Sequence, residues 1–390
     1  TKMEKRGKQR LGVCAALVLL ILGGFMDNNV KTELKRSVGA QFCYFLAVEK
    51  KVEWPMEVLA VYPVKNRNVT AKIEYDPEQL QKENEELLQE ENDSQETLAL
   101  QQDTAVQSEN VAAVPASGVT SNTGEEAFVK KLWETKDVHY LWDHFYIVDS
   151  TTSVKRKLFP VERLLKRDMK LPVQNGKKQI LIYHTHGASE SFSDSRSGKV
   201  ADGVIGVGEK LAKELEKNGY GVIHDTTKYD WMDGKIDRSK AYNVSLAGVQ
   251  KQLEKNPDIQ VIIDLHRDSV GKNRHTYTTI DGKRTAIAMF FNGMSRNQSG
   301  EIAYLTNPNR EANLAFSLQL KCHAMELFDG FTKPIYLKGY RYNLHLKERA
   351  LLIELGNENN TVEEAMNAAA PLAKVIADVL KGDVKHSFQG

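Results

Sequence analysis

Three apolar runs in this chain end abruptly in ionisable residues. Ile180 to Tyr183 leads into "HTHGASE", with His184, His186 and Glu190; "VIID" leads through Asp264 into "LHRDS", with His266 and Asp268; and "LLIELGNENN" carries Glu354. A charged carboxylate at the end of a buried strand costs several kcal/mol unless it is paired or coordinating. If the three runs are neighbouring parallel strands, one divalent cation satisfies all of these groups together.

Zinc suits that set. Its catalytic sites use three protein ligands such as two His and one Glu, with nitrogen at roughly 2.0 to 2.1 Å and one position left open. The metal polarises a carbonyl and lowers the pKa of a bound water to about 7. A further carboxylate, not a ligand, then relays the proton to the leaving amine.

His186 lies past the strand end beside Gly187 and is the first candidate ligand; His184, two residues earlier, is the alternative. Glu190 is the candidate acid, with Glu209 also in reach. His266 is the second imidazole, and Asp264 or Asp268 could orient it as an outer partner. Glu354 is the candidate proton relay, against the plainer reading that it pairs with Arg341 or Arg349. The other histidines lack such placement and read as structural or surface residues.

Positioning these groups requires strands and helices in alternation. The apolar patterning predicts strands over 179–183, 220–224, 259–265, 285–291 and 350–355, and helices over 204–217, 245–255, 310–328 and 362–381. In the first of these helices Val204, Val207, Leu211 and Leu215 share one face, and Gly219 follows as a left-handed cap. The last begins with Thr361 as N-cap and Glu364 three residues on, a capping box. "VIID", "AIAMFF" and "LLIE" lack alternation, as expected of strands buried on both faces. The pattern is that of an α/β fold, an open and mostly parallel sheet with helices on both faces. Ligands gather beyond the carboxyl ends of such strands.

Composition sets the surroundings. The chain has 390 residues and a net charge of +1, which gives no pull toward nucleic acid. Its three cysteines, Cys14, Cys43 and Cys322, are far apart and odd in number, so any metal must use His and carboxylate. Residues 1–10 are basic and 11–26 are uncharged and apolar, which predicts a cytoplasmic tail and a single membrane-crossing helix, with a cleaved signal peptide as the rival. Residues 27–73 form a juxtamembrane segment. From Glu74 to Glu126 there are 14 carboxylates and one base, Lys82, so 74–127 reads as a flexible acidic linker. Residues 128–390 form the folded catalytic domain, onto which the aromatic and basic stretch 132–170 is expected to pack.

The blocks "ILIYHTHGASESF", "HFYIVDSTTSV", "GYGVIHDTTKYD", "NPDIQVIIDLHRDS" and "LLIELGNENNTVEEA", behind one N-terminal anchor, closely resemble the stage II sporulation protein P family of endospore-forming bacteria. The resemblance covers roughly residues 132–380. It implies a zinc-dependent N-acetylmuramoyl-L-alanine amidase of the amidase 3 type, with endopeptidase activity on peptide cross-links. It also implies a protein held in the mother-cell membrane with its catalytic domain outside the cytoplasm. There it would work on peptidoglycan during forespore engulfment, beside a lytic transglycosylase of the stage II sporulation protein D type (SpoIID) and a membrane scaffold of the protein M type (SpoIIM). In the wider amidase pattern "THG" places His186 on the first ligand, "DLH" places His266 on the second, and "IELG" places Glu354 on the catalytic acid. That pattern also has a ligand Glu before the first helix, where this chain reads "DGVIGVG", so Glu190 is the nearest substitute. The contrasting possibility is a noncatalytic peptidoglycan-binding scaffold with a structural metal.

Overall fold

The computed structural model describes residues 124–271 and 274–385. The expected anchor, the juxtamembrane segment, the linker up to residue 123, Cys14 and Cys43 lie outside them. Among the described residues no helix is long and apolar enough to cross a membrane.

The chain opens with helices α1 (Glu125–Thr135) and α2 (Val138–Phe145), strand β1 (Tyr146–Val148) and the short helix α3 (Val161–Lys166). Helix α1 therefore begins inside the stretch read as linker. Next come β2 (Lys178–Tyr183), α4 (Val204–Lys217), β3 (Gly221–His224), the hairpin strands β4 (Trp231–Met232) and β5 (Lys235–Ile236), and α5 (Ala241–Lys255). Strands β6 (Val261–Asp268), β7 (Tyr277–Ile280), β8 (Lys283–Ala286), β9 (Ala288–Gly293), β10 (Arg296–Asn297) and β11 (Gly300–Glu301) follow. The fold closes with α6 (Arg310–Leu327), β12 (Ile335–Lys338), β13 (Arg349–Asn357) and α7 (Val362–Lys381).

Seven strands form the main sheet in the order β1-β12-β9-β13-β6-β2-β3. Every neighbouring pair is parallel except β13 with β9. The carboxyl ends of β3, β2, β6 and β13 consequently meet at one edge, and the three ionisable strand ends lie on adjacent strands. The run predicted as one strand over 285–291 divides at Ile287. Residues up to Ala286 pair with β7 in a hairpin, and those from Ala288 enter the main sheet. Periodicity could not mark that break, because both pieces are apolar.

Alternation along the strands sorts side chains between two cores. Ile180, Ile182, Val261, Ile263, Leu351 and Ile353 pack with Val204, Val207, Leu211 and Leu215 of α4 and with residues of α6 and α7. Leu181, Tyr183, Ile262, Ala350 and Leu352 face the other way, against Tyr242 and Val249 of α5. Helices thus cover both faces. Removing each such aliphatic side chain from water contributes about 1.5 to 3 kcal/mol, enough to fix the register, since a one-residue slip would turn both sets to the wrong layer.

The caps act as the sequence suggests. Thr361 accepts from Glu364 N, and the Glu364 side chain accepts from the Thr361 amide. Gly219 follows α4 at φ +97°. Residues 125–166 belong to the same body: β1 extends the main sheet beside β12, and Val129, Leu132, Leu164 and Leu165 join the core that includes α6.

Candidate active site

His266 stands at the centre of the strand-end cluster. It is 2% exposed, near the end of β6. Its Nδ1 lies 3.2 Å from Glu190 Oε1, and its Nε2 lies 2.9 Å from Asp264 Oδ1. Burial opposes charge on the imidazole, yet the two carboxylates outweigh it and hold His266 well above the usual histidine range. Asp264 is itself buried and fixed, accepting from Thr185 N at 2.9 Å and Thr185 Oγ1 at 2.6 Å. Burial pushes its carboxyl up, but His266 and these bonds leave it lowered.

Glu190 reaches this centre through a turn. Its amide donates to His186 O, and its own carbonyl accepts from Val204 N, the first residue of α4. Oε2 accepts from Arg267 N at 3.1 Å, and Arg238 Nη1 stands 3.7 Å from Oε1. Burial acts to raise the carboxyl; the His266 charge overcomes it and brings Glu190 down to about 2. The turn brings Glu190 beside the start of α4. Residues 192–202 loop out, and a bridge between Ser191 and Gly203 returns Glu190 to the start of the helix. A Cβ on Gly203 would sit 2.9 Å from Glu190 O, so the close approach needs glycine.

His184 and His186 separate, although two-residue spacing on a strand would point them the same way. Strand β2 stops at Tyr183. His184 keeps the α4 side: Nδ1 pairs with Leu265 O at 2.8 Å and Nε2 with His224 Nε2 at 2.9 Å. Burial and the neighbouring His224 lower it to about 4. His186, beyond the turn, is swung to the opposite side, edge-on to Tyr242 and to His266 with ring centroids 5.5 and 5.3 Å away.

Glu354 on β13 is the register partner of His266, and on that strand it continues the α5-facing set after Ala350 and Leu352. The ladder slips directly after it, with Gly356 at φ +69°. Bulges of this kind re-aim side chains beside sites.

The structure therefore gathers His186, Glu190, Asp264, His266 and Glu354 at one sheet edge. Other candidates go elsewhere. Asp268 pairs with Lys333 at 3.0 Å. Glu209, half exposed on α4, contacts Lys213 and His224 Nδ1. The Arg341 guanidinium reaches Thr306 O, and that of Arg349 reaches the carbonyls of Met169 and Lys170. Sequence reasoning missed Arg238, Arg267 and Asp230. The Asp230 carboxylate accepts from Ala188 N and Ser189 N and so holds the turn that carries Glu190. Nothing local in "KYDW" signals that role.

Among the described residues no three His, Cys, Asp or Glu side chains are spaced to hold a metal ion. The donor types nevertheless fit one. His266 has the arrangement of a metal-binding imidazole, one nitrogen oriented by a carboxylate and the other facing a carboxylate that could share a cation.

These features define a class: an α/β domain whose parallel strands deliver a buried histidine and carboxylate centre at their carboxyl ends. The chain belongs to the stage II sporulation protein P (SpoIIP) family, whose profile matches residues 33–377. Stage II sporulation protein P of Bacillus subtilis (strain 168) is 29% identical over 218 residues, 52% of this chain and 51% of that protein. The chain thus spans about half the length of this curated relative. Among solved structures, the catalytic domain of CwlV, an N-acetylmuramoyl-L-alanine amidase from Bacillus (Paenibacillus) polymyxa var. colistinus, aligns with 53% of this chain and 99% of its own, at 19% identity and a TM-score of 0.33. The N-acetylmuramoyl-L-alanine amidase from Clostridium difficile 630 aligns with 52% of this chain and 94% of its own, at 17% identity and a TM-score of 0.32.

Proposed function

We propose that this protein is a zinc-dependent peptidoglycan hydrolase of sporulation, cutting the amide between the muramic acid lactyl group and L-alanine. Family membership supports a role in sporulation, and one geometric observation carries the chemistry: Glu190 and Asp264 bracket His266, and Glu354 is its register partner. His186, Glu190 and His266 would hold zinc, which when bound supplies Lewis acidity toward the scissile carbonyl.

The chain's own residues do the rest. Asp264, held by Thr185, fixes the ring of His266 through Nε2. The Arg267 amide holds Glu190 Oε2, and Arg238 Nη1 stands 3.7 Å from Oε1, so the carboxylate is kept aimed at the centre. Glu354 takes a proton at its carboxylate and returns it to the leaving amine, the general acid and base role. Tyr242 packs edge-on against His186 and steadies its ring.

Cleavage of peptide cross-links is a second activity the same site could serve. Anchoring through residues 11–26, an extracytoplasmic catalytic domain on the mother-cell side, and partners of the SpoIID and SpoIIM types belong to the same reading and rest on the sequence resemblance.

The purified full chain incubated with peptidoglycan, with and without chelator, tests it by mass analysis of released fragments. Stem peptides with free L-alanine amino ends, lost on chelation, are expected. Split cross-links would make the endopeptidase activity dominant. Absence of any release, with metal still bound, would favour the noncatalytic scaffold.

A further inference from the structure

Beside the Glu190 turn stands a ribbon that the chemistry above does not use. Strands β4 and β5 pair Trp231 with Ile236 and Met232 with Lys235. They are joined by Asp233 and Gly234, with φ of +51° and +79°. Two central residues at positive φ make the tight hairpin turn whose twist matches its strands, so the ribbon is short and stiff.

Both ends of the ribbon are fixed to the site. Asp237 N donates to Asp230 O at 2.8 Å and closes its base. Asp230, fully buried, accepts from Ala188 N at 2.8 Å and Ser189 N at 3.0 Å, the residues directly before Glu190. From the other end Arg238 Nη1 donates to Ser189 Oγ at 2.9 Å and stands 3.7 Å from Glu190 Oε1.

Trp231 and Ile236 are 50% and 47% exposed, the two highest values among the large apolar residues described. As cross-strand partners they project from the same ribbon face, while alternation sends Met232 and Lys235 to the other. That leaves a flat apolar patch about the size of one ring, without charge from its own ribbon, clamped next to the centre.

We propose that Trp231, backed by Ile236, is a glycan subsite, stacking one sugar ring of the strand whose lactyl amide lies at the Glu190–His266 centre. This rests on the hydrolase reading above. A pyranose presents a face of C–H bonds that lies flat on an indole, whereas a stem peptide is rich in carboxylates and amines that this face does not match. An exposed tryptophan is also the side chain that supplies most contact area at least conformational cost.

The test is co-sedimentation of the full chain with insoluble peptidoglycan, briefly and on ice, for wild type, Trp231→Ala and Trp231→Phe. Chitotetraose and a free stem peptide serve as competitors, and melting temperature serves as the folding control. Binding by Trp231→Ala is expected to weaken roughly tenfold or more, the scale of losing one central aromatic contact. Its melting should be unchanged, Trp231→Phe should retain most binding, and chitotetraose should displace the wild type. Sedimentation of Trp231→Ala at the wild-type level overturns the subsite, as does displacement by stem peptide but not by chitotetraose. Because sedimentation needs no turnover, a chain that binds through Trp231 yet releases no fragments overturns the hydrolase reading and leaves the subsite standing.

Discussion

Glu354 and His266 are partners across adjacent parallel strands, held in register by apolar residues that precede them on both. The acid proposed to move the proton and an imidazole proposed to hold the metal are thus aligned by the sheet core, with no loop intervening. Glu354→Gln keeps the size and removes the titrating group. The expected outcome is a fall in kcat of roughly 10²- to 10⁴-fold, with KM and the thermal midpoint nearly unchanged, measured on peptidoglycan fragments.

Asp264 touches His266 at Nε2 and Thr185 at two atoms. Asp264→Asn preserves the shape but offers a weaker acceptor to the imidazole. Zinc affinity is expected to fall roughly 10- to 100-fold, read by competition with a chromophoric chelator. An unchanged affinity would remove Asp264 from the orienting role.

Gly208 on α4 faces the pair His184 and His224. A Cβ there would meet His184 Nε2 at 2.5 Å and His224 Nε2 at 2.8 Å, both on buried or mostly buried rings. Gly208→Ala should therefore destabilise by about 1 to 3 kcal/mol as an overpacked site, seen as a lower urea midpoint at constant slope. Substituting Gly198, at φ +73° with open space around it, tests only backbone strain and serves as contrast.

Lys321 is buried in α6, donating from Nζ to Thr332 O at 2.7 Å and Thr332 Oγ1 at 2.9 Å. Burial lowers its pKa to about 8. Between that value and the ordinary lysine value of about 10.4 the unfolded chain binds more protons, so stability rises with pH through this window and the penalty is full below it. Urea unfolding from pH 7.5 to 10 should show a gain of about 2 to 3 kcal/mol in wild type relative to Lys321→Met. Parallel curves for the two proteins would refute the buried-lysine account.

What the sequence settled by itself is local. The apolar runs, the α4 stripe, the Thr361 capping box and the ionisable strand ends were legible because each depends on neighbours within a few positions, where periodicity and capping act. The first helix escaped because Glu125 and Glu126 read as more of the acidic stretch before them, and the break at Ile287 because both flanking pieces are apolar.

Tertiary structure alone decided the rest. His184 and His186 look equivalent in sequence, yet the stop of β2 at Tyr183 sends one ring to His224 and the other to His266. Glu190 lies beside the head of α4 only because Ser191 meets Gly203 across an intervening loop. Which side chains share a site depends on how strands associate and where the chain leaves the sheet, and that is fixed by burial of the two cores over the whole domain rather than by any residue's own neighbours.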